Sequence, residues 1–115
     1  MSNLGKYGES LATSILYDKG YEIVDKNYRF GHGEIDIIAT KNDVLVFIEV
    51  KTRSNTMYGE PEEAITYSKQ KQLRKIANAY LHEKKIINKD CRFDVIAILL
   101  EKGNDPLINH IENAF

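Results

Sequence analysis

The chain has 115 residues, of which 16 are lysine or arginine and 17 are aspartate or glutamate, so its formal net charge at pH 7 is −1. This length predicts one domain covering residues 1–115, and a charge so near zero argues against a protein that coats nucleic acid, because such proteins are strongly basic. A lone cysteine excludes an internal disulfide. The sequence shows no secretory signal and no apolar run near the roughly 20 residues of a membrane span. We therefore expect a cytoplasmic protein without a membrane partner.

The first part of the chain predicts a helix and a strand. Apolar residues recur at helical spacing from Leu4 to Lys19, and Gly20 is a typical C-cap. Glu9 falls at the rim of the apolar face, where it either leans toward a sheet edge or remains an ordinary exposed glutamate. The segment Tyr21–Phe30 predicts the first strand, and Gly31-His32-Gly33 predicts a tight turn in which the histidine is exposed.

A β-hairpin is predicted from Gly33 to Lys51. Asn42-Asp43 suits a two-residue turn between its arms, because both residue types tolerate positive φ. That turn places Lys41 opposite Val44 and so sets the register of the whole hairpin. A turn longer or shorter by one residue would move every side chain to the other face.

In this register Asp36 lies opposite Glu49, and Glu34 lies opposite Lys51, all on one face of the sheet. Two carboxylates about 5 Å apart repel by roughly 3 kcal/mol at an effective dielectric constant near 20. Both arms are nearly continuous apolar runs, which predict strands covered on both faces. A divalent cation would offset the repulsion, with Mg²⁺ the usual ion where a phosphate completes the shell. The alternative is a solvated charged stripe with a Glu34–Lys51 ion pair.

Lys51 favours the metal site. A lysine two residues after a metal-ligand glutamate, on the same face, can orient an attacking water and stabilise the charge that develops on a phosphoryl group. The alternative of a solvated charged stripe remains open, because a short pattern of acid, acid and lysine occurs by chance in many chains.

The second half of the chain predicts a loop at Ser54–Glu60, a helix start at Pro61, and a main helix from about Ser68 to Lys85. Lys69 lies on the apolar face of that helix, where it either reaches solvent or contacts a phosphate. The outward face carries further basic residues that are either solvated or form a track for nucleic acid: Lys71, Arg74 and Lys75.

Two more strands follow. Arg92–Leu100 is nearly all apolar after Asp94, which predicts an interior strand, and Leu107–Asn113 predicts an edge strand after a turn. The order α-β-β-β-α-β, plus a last strand, predicts an α/β fold with a mixed central sheet flanked by helices. A helical crossover makes the third and fourth strands parallel.

The chain resembles a known superfamily and, more closely, one family within it. Asp36 followed by Glu49-Val50-Lys51 matches the motif of the PD-(D/E)XK nucleases, with Ile35 where a proline often stands. Read end to end, the chain resembles the YraN-like family of small bacterial proteins, which has a restriction-endonuclease-like αβββαβ core. The resemblance rests on Gly8-Glu9, Ala12, Gly20-Tyr21, Asn27-Tyr28-Arg29, Gly33-Glu34-Ile35-Asp36, Phe47 to Arg53, Tyr58 to Pro61, Lys69, Ala77, Tyr80-Leu81, Arg92 to Val95 and Ile111 to Phe115.

The resemblance implies a metal-dependent nuclease. Asp36, Glu49 and the carbonyl of Val50 would hold Mg²⁺ or Mn²⁺, and Lys51 would position the water. Glu9 matches the helical glutamate that joins the metal site in Holliday-junction resolvases, which implies a role for it as well. Glu34 is expected to pair with Lys51 or to bind a second ion. Nucleic-acid contacts are expected from Lys69, Arg53, Lys71 and Arg74.

The implied partner is nucleic acid, with DNA favoured and branched DNA the form that resolvases cleave. A homodimer is expected by analogy alone, because a junction offers two symmetric scissile strands. The alternative function is a nucleic-acid-binding or adaptor module of the same fold with little or no catalytic activity. A purely structural domain is a third interpretation.

Overall fold

The computed structural model describes residues 3–54 and 65–115. Most of the predicted loop at 54–60, and the helix start predicted at Pro61, lie outside the described residues. The described elements are α1 (Asn3–Asp18), β1 (Glu22–Phe30), β2 (Gly33–Lys41), β3 (Val44–Arg53), α2 (Tyr67–Glu83), β4 (Cys91–Leu99) and β5 (Leu107–Ile111). Their bounds agree with the predicted ones to within two residues. Neither helix in the described part of the chain combines the length and apolar character that crossing a bilayer requires.

The strands form one mixed sheet in the order β1-β2-β3-β4-β5. Only β3 and β4 pair in parallel among these strands, and the other neighbours are antiparallel. The parallel pair follows from the helical crossover through α2, as predicted. The predicted interior and edge positions of the last two strands, and the mixed α/β fold class, are therefore confirmed.

The two helices cover opposite faces of the sheet. Ala12 and Leu16 of α1 pack against one set of buried strand residues, which are Ile37, Ala39, Val46, Ile48, Ile96 and Ile98. The buried face of α2 packs against a second set, which is Ile35, Ile38, Leu45 and Phe47. This double cover explains why the central strands read as unbroken apolar runs in the sequence.

The predicted hairpin register is confirmed from the turn as far as Ile37 and Ile48, whereas the predicted pairs Asp36–Glu49 and Glu34–Lys51 lie beyond the end of the ladder. Lys41 pairs with Val44, and the ladder continues to Ile37 opposite Ile48. Asn42 and Asp43 adopt φ angles of 51° and 65°, the left-handed pair that a two-residue hairpin turn requires. Beyond Ile37 and Ile48 the two strands part: the first residues of β2 continue to pair with β1, and the last residues of β3 continue to pair with β4. The fork between them is where the predicted site lies.

A fully buried carboxylate, that of Asp94, connects β4 to β5 and to the residues that follow it through hydrogen bonds. It accepts hydrogen bonds from Arg92 Nε at 2.8 Å, from His110 Nε2 at 2.7 Å and from the backbone N–H of Asn113 at 3.0 Å. Lys19 Nζ lies 2.9 Å from His110 Nδ1, and because an ammonium group can only donate, this fixes Nε2 as the nitrogen that donates to Asp94. Burial raises the pKa of Asp94, but these donors outweigh it and hold that pKa below its ordinary value.

We predict that Asp94→Asn destabilises the protein by roughly 2–4 kcal/mol at neutral pH, because it removes the buried carboxylate that the partly buried Arg92 guanidinium meets at 2.8 Å. The lowered pKa of Asp94 means that its stabilising effect is present above the ordinary carboxyl pKa and is lost as the pH falls through the folded-state value. Urea unfolding at several pH values measures both effects. Glu112→Gln is the matched control, because Glu112 meets the same arginine at 3.8 Å from the exposed rim and should cost less than about 1 kcal/mol. Equal costs for the two substitutions would contradict this account.

Candidate active site

A cavity of about 360 Å³ opens at the fork between β2 and β3. Its lining residues include most of those that the sequence singled out: Glu9, Asp36, Glu49, Val50, Lys51 and Arg53, together with Leu4, Gly5 and Thr52. The predicted convergence of Asp36, Glu49 and Lys51 on one pocket is therefore present in the structure. The roles assigned to these residues stay predictions.

At the fork, the side chain of Asp36 accepts a backbone hydrogen bond that a main-chain carbonyl would accept in a regular ladder. Its Oδ2 accepts a hydrogen bond of 2.8 Å from the backbone N–H of Val50. Strict alternation fails along this part of β2, because Ile35 and Ile38 both pack on the α2 face whereas Ile37 packs on the α1 face. The irregularity and the parting strands together make room for a side chain where a regular ladder would have continued.

Burial and nearby negative charge hold a proton on Asp36. Burial, followed by the negative charge of Glu49, raises the pKa of Asp36 to about 8 against the lowering effect of the Val50 N–H. The negative charge of Glu9, and a hydrogen bond to Glu49 that only the protonated acid can donate, raise it further. In the absence of a cation, these effects disfavour the state of the cavity in which both acids are ionised.

Glu49 is the most enclosed charged group of the cavity, with a side chain only 8% exposed. Its Oε2 lies 3.8 Å from Lys51 Nζ and 3.7 Å from Lys69 Nζ. When both acids are ionised, its buried Oε1 has no hydrogen-bond donor among the described residues. A buried anionic oxygen without a donor, beside a second, partly buried acid, is ligand chemistry that suits a hard divalent cation. The residues present thus fit such an ion.

Glu34 does not pair with Lys51, so that part of the prediction is wrong. Its Oε1 forms an ion pair of 3.0 Å with Arg29, and its Oε2 accepts a hydrogen bond of 3.0 Å from Asn27. The reason is topological: Arg29 faces Glu34 directly across β1 and β2, whereas β3 has already left β2 at this level. The carboxylate oxygens of Glu34, Glu9 and Asp36 nevertheless lie within 4.8 Å of one another.

Asn27 is a residue of the site whose role the sequence reasoning missed. Its side-chain amide donates to Glu9 Oε1 at 3.1 Å as well as to Glu34, so it links the helix to the sheet. Its φ angle of 53° places it in the left-handed region. It lies where the β1–β2 pairing goes from Lys26–Ile37 to Tyr28–Ile35 without a pair for Asp36 between them. Asparagine tolerates that conformation better than most residues, and this tolerance, together with the place of Asn27 in the family resemblance, was the signal that the sequence carried.

Two glycines let the helices approach the sheet on either side of the fork. A Cβ atom on Gly8 would lie 2.0 Å from Thr52 Oγ1, so α1 rests directly on β3 and carries the adjacent Glu9 to the cavity. A Cβ atom on Gly33 would lie 2.8 Å from both Gln72 Nε2 and Ile76 Cδ1 of α2. Gly33 was predicted as a turn residue, and it lies at the start of β2, where the atoms nearest to an added Cβ are the flexible ends of two α2 side chains.

The basic residues divide into those that reach the cavity and those that do not. Arg53 lines the cavity, whereas Lys69 is not among its lining residues and instead meets Glu49 Oε2 at 3.7 Å. Lys69 lies in the first turn of α2, whose start is fixed by the Thr66 side chain accepting from the Lys69 N–H at 3.1 Å. Lys71 and Arg74 lie elsewhere on α2. The Lys71 ammonium is 5.6 Å from the Tyr67 ring, and the Arg74 guanidinium stacks over Phe93 and Phe115 at 4.9 and 5.4 Å.

Fold and site together define the class. A mixed sheet with one parallel strand pair, flanked by two helices and carrying acid, acid and lysine at the strand fork, is a restriction-endonuclease-like arrangement. The family model described as uncharacterised protein family UPF0102 matches residues 8–98. The chain therefore belongs to the UPF0102 family.

Relatives of this family match over nearly their whole length. A UPF0102 protein of Alkaliphilus oremlandii is 50% identical over 115 residues, covering 97% of each chain. One from Rhodococcus opacus is 46% identical over 112 residues, covering 97% of this chain and 95% of its own. One from Chloroherpeton thalassium is 45% identical over 118 residues, covering 96% and 92%. These names state the family and no reaction.

We predict that Gly8→Ala destabilises the protein by about 1–3 kcal/mol, because the added methyl group has no space against Thr52. Gly5→Ala on the same helix is the matched control: nothing lies within 4 Å of its added Cβ atom, and alanine favours a helix by up to about 1 kcal/mol over glycine. Thermal and urea unfolding measure the difference. A Gly8→Ala variant as stable as Gly5→Ala would show that α1 does not rest on β3 in this way.

We also predict that Asp36→Asn stabilises the cation-free protein increasingly as the pH rises. The folded-state pKa of about 8 lies above the ordinary value of 3.8, so wild-type stability falls between these two values while the asparagine variant does not titrate. The difference in the free energy of unfolding should grow to the order of a few kcal/mol above about pH 8. Urea unfolding in EDTA from pH 5 to 9 measures it. As a control, added Mn²⁺ should stabilise the wild type alone. A difference that does not change with pH would contradict this prediction.

Proposed function

We propose that the protein is a divalent-metal-dependent nuclease that hydrolyses phosphodiester bonds in nucleic acid. The observation that carries this proposal is the cavity in which Glu9, Asp36, Glu49 and Lys51 meet, with a buried Glu49 oxygen that has no donor among the described residues when both acids are ionised. Two acids in a covered site cost stability, and a bound cation would offset that cost.

Asp36, Glu49 and the carbonyl oxygen of Val50 would hold Mg²⁺ or Mn²⁺, both of which prefer oxygen ligands. When bound, such an ion supplies a nucleophilic water at neutral pH and polarises the phosphoryl oxygens. Glu9 lies close enough to Asp36 to tune the same site, since their carboxylate oxygens are within 4.8 Å. Glu34 belongs to that acidic group and is held by Arg29 and Asn27.

Lys51 would position the attacking water and stabilise the charge on the phosphoryl oxygens. Its ammonium lies 3.8 Å from Glu49 Oε2 and its side chain is 26% exposed, so it faces the space that a phosphodiester would enter. In the hydrolysis, the water oxygen forms a bond to phosphorus and the bond from phosphorus to one sugar oxygen breaks. That oxygen takes up a proton, and the water loses one, so the products are a phosphate monoester and a free hydroxyl.

Local positive charge at the cavity would attract the phosphates of a nucleic acid even though the chain as a whole is nearly neutral. Arg53 and Lys69 stand beside the acids, and both can meet backbone phosphates next to the scissile one. We propose DNA as the nucleic acid and, on the resemblance to Holliday-junction resolvases, branched DNA bound by a homodimer in the cytoplasm.

One observation favours a second candidate, a nucleic-acid-binding or adaptor module with little or no activity. Both acids are compensated without a cation, because the protonated form of Asp36 is favoured and Glu49 meets two ammonium groups. A protein that never takes up a metal would be stable in this state. Metal binding therefore separates the two candidates.

We predict that purified protein with Mn²⁺ cleaves plasmid or branched DNA, and that EDTA abolishes cleavage. Asp36→Asn and Lys51→Met should each reduce the rate by at least about 100-fold, because one removes a charged ligand and the other removes the ammonium. Lys84→Met is the matched control: this lysine lies at the other end of α2 and should leave the rate unchanged. Cleavage that neither Asp36→Asn nor Lys51→Met reduces would rule out this mechanism and point to a contaminating nuclease.

A further inference from the structure

Two lysines share a single carboxylate oxygen in the cavity. Lys51 Nζ and Lys69 Nζ lie 3.8 and 3.7 Å from Oε2 of Glu49, which is itself almost wholly enclosed. One acid therefore faces two ammonium groups, which leaves a surplus of positive charge at the oxygen that the proposed function assigns to a metal ion. That surplus opposes the entry of a divalent cation, because like charges repel one another.

The two lysines differ in how they are held. Lys51 lies two residues from Glu49 on β3, in the sheet itself. Lys69 comes from the first turn of α2, and the Thr66 cap and the bond from the Gln70 N–H to the Thr66 carbonyl fix its backbone. Only its long side chain is free to change partner, and that side chain is 33% exposed, the more exposed of the two.

We propose that Lys69 is an exchangeable counter-ion of this site. It pairs with Glu49 while the site holds no cation, and it transfers to a phosphate group of the bound nucleic acid when Glu49 becomes a metal ligand. Lys51 keeps its place beside Glu49 throughout. This inference rests on the proposed function and deepens it, because it makes cation binding and phosphate binding cooperative through one side chain.

The exchange has two consequences that can be measured without following hydrolysis. Removing the Lys69 charge frees Glu49, so the cation should bind more tightly to the protein alone. The same change removes the group that links the two ligands, so nucleic acid should no longer strengthen cation binding. By thermodynamic linkage, the loss must appear equally in the effect of the cation on nucleic-acid affinity.

The test is a calorimetric titration of the full chain with Ca²⁺, alone and in the presence of a saturating DNA duplex that a gel shows to stay intact. In wild-type protein the duplex should increase Ca²⁺ affinity by about fivefold or more. In Lys69→Met, Ca²⁺ should bind about fivefold more tightly to the free protein, and the duplex should add nothing. Lys69→Arg keeps the charge and should resemble the wild type, as should Lys84→Met, while Glu49→Gln should abolish binding. Melting temperatures establish that each variant is folded.

The outcomes distinguish a failure of this inference from a failure of the proposed function on which it rests. If Lys69→Met binds Ca²⁺ no more tightly than wild type, or keeps the effect of the duplex, while Glu49→Gln still abolishes binding, the counter-ion role is wrong and the metal site stands. If folded wild-type protein binds no divalent cation at all, with or without DNA, the inference and the proposed function both fail.

Discussion

The repulsion between two enclosed acids at the fork of β2 and β3 is the constraint around which the rest of the site is arranged. Asp36 relieves it by keeping a proton and by accepting the Val50 N–H, which the parted strands leave without a ladder partner. Glu49 relieves it by drawing two ammonium groups to one oxygen. A bound cation would replace both of these compensations, so the proposed metal site is compatible with a protein that is also stable without the ion.

Close helix packing brings the remaining groups to that fork. Gly8 lets α1 rest on Thr52, so Glu9 arrives beside Asp36, and Gly33 lets α2 rest on the start of β2, on the side from which Lys69 reaches Glu49. At Gly8 a single missing side chain sets the distance between α1 and the sheet. The site is thus specified as much by where the backbone has no Cβ atom as by the charged residues themselves.

Much of this arrangement could be predicted from the sequence because it depends on local rules. The Asn42-Asp43 turn set the register as far as Ile37 and Ile48, and so placed Asp36 and Glu49 at the fork where the two strands part. The contacts that could not be predicted depend on departures from those rules. Because β3 separates from β2 before Lys51, Glu34 forms an ion pair with Arg29 and not with Lys51. The broken alternation in β2, the left-handed Asn27 and the His110–Asp94 contact across 16 residues need three-dimensional context that no short pattern contains.

A crystal soaked in Mn²⁺ tests the central claim most directly, because anomalous scattering locates the ion without assumptions about activity. The account predicts an anomalous peak in the cavity at the fork, with oxygens of Asp36 and Glu49 and the carbonyl of Val50 about 2.1 Å away. It also predicts that the peak disappears in crystals of Asp36→Asn. No peak in that cavity at a Mn²⁺ concentration that labels acids elsewhere on the surface would contradict it.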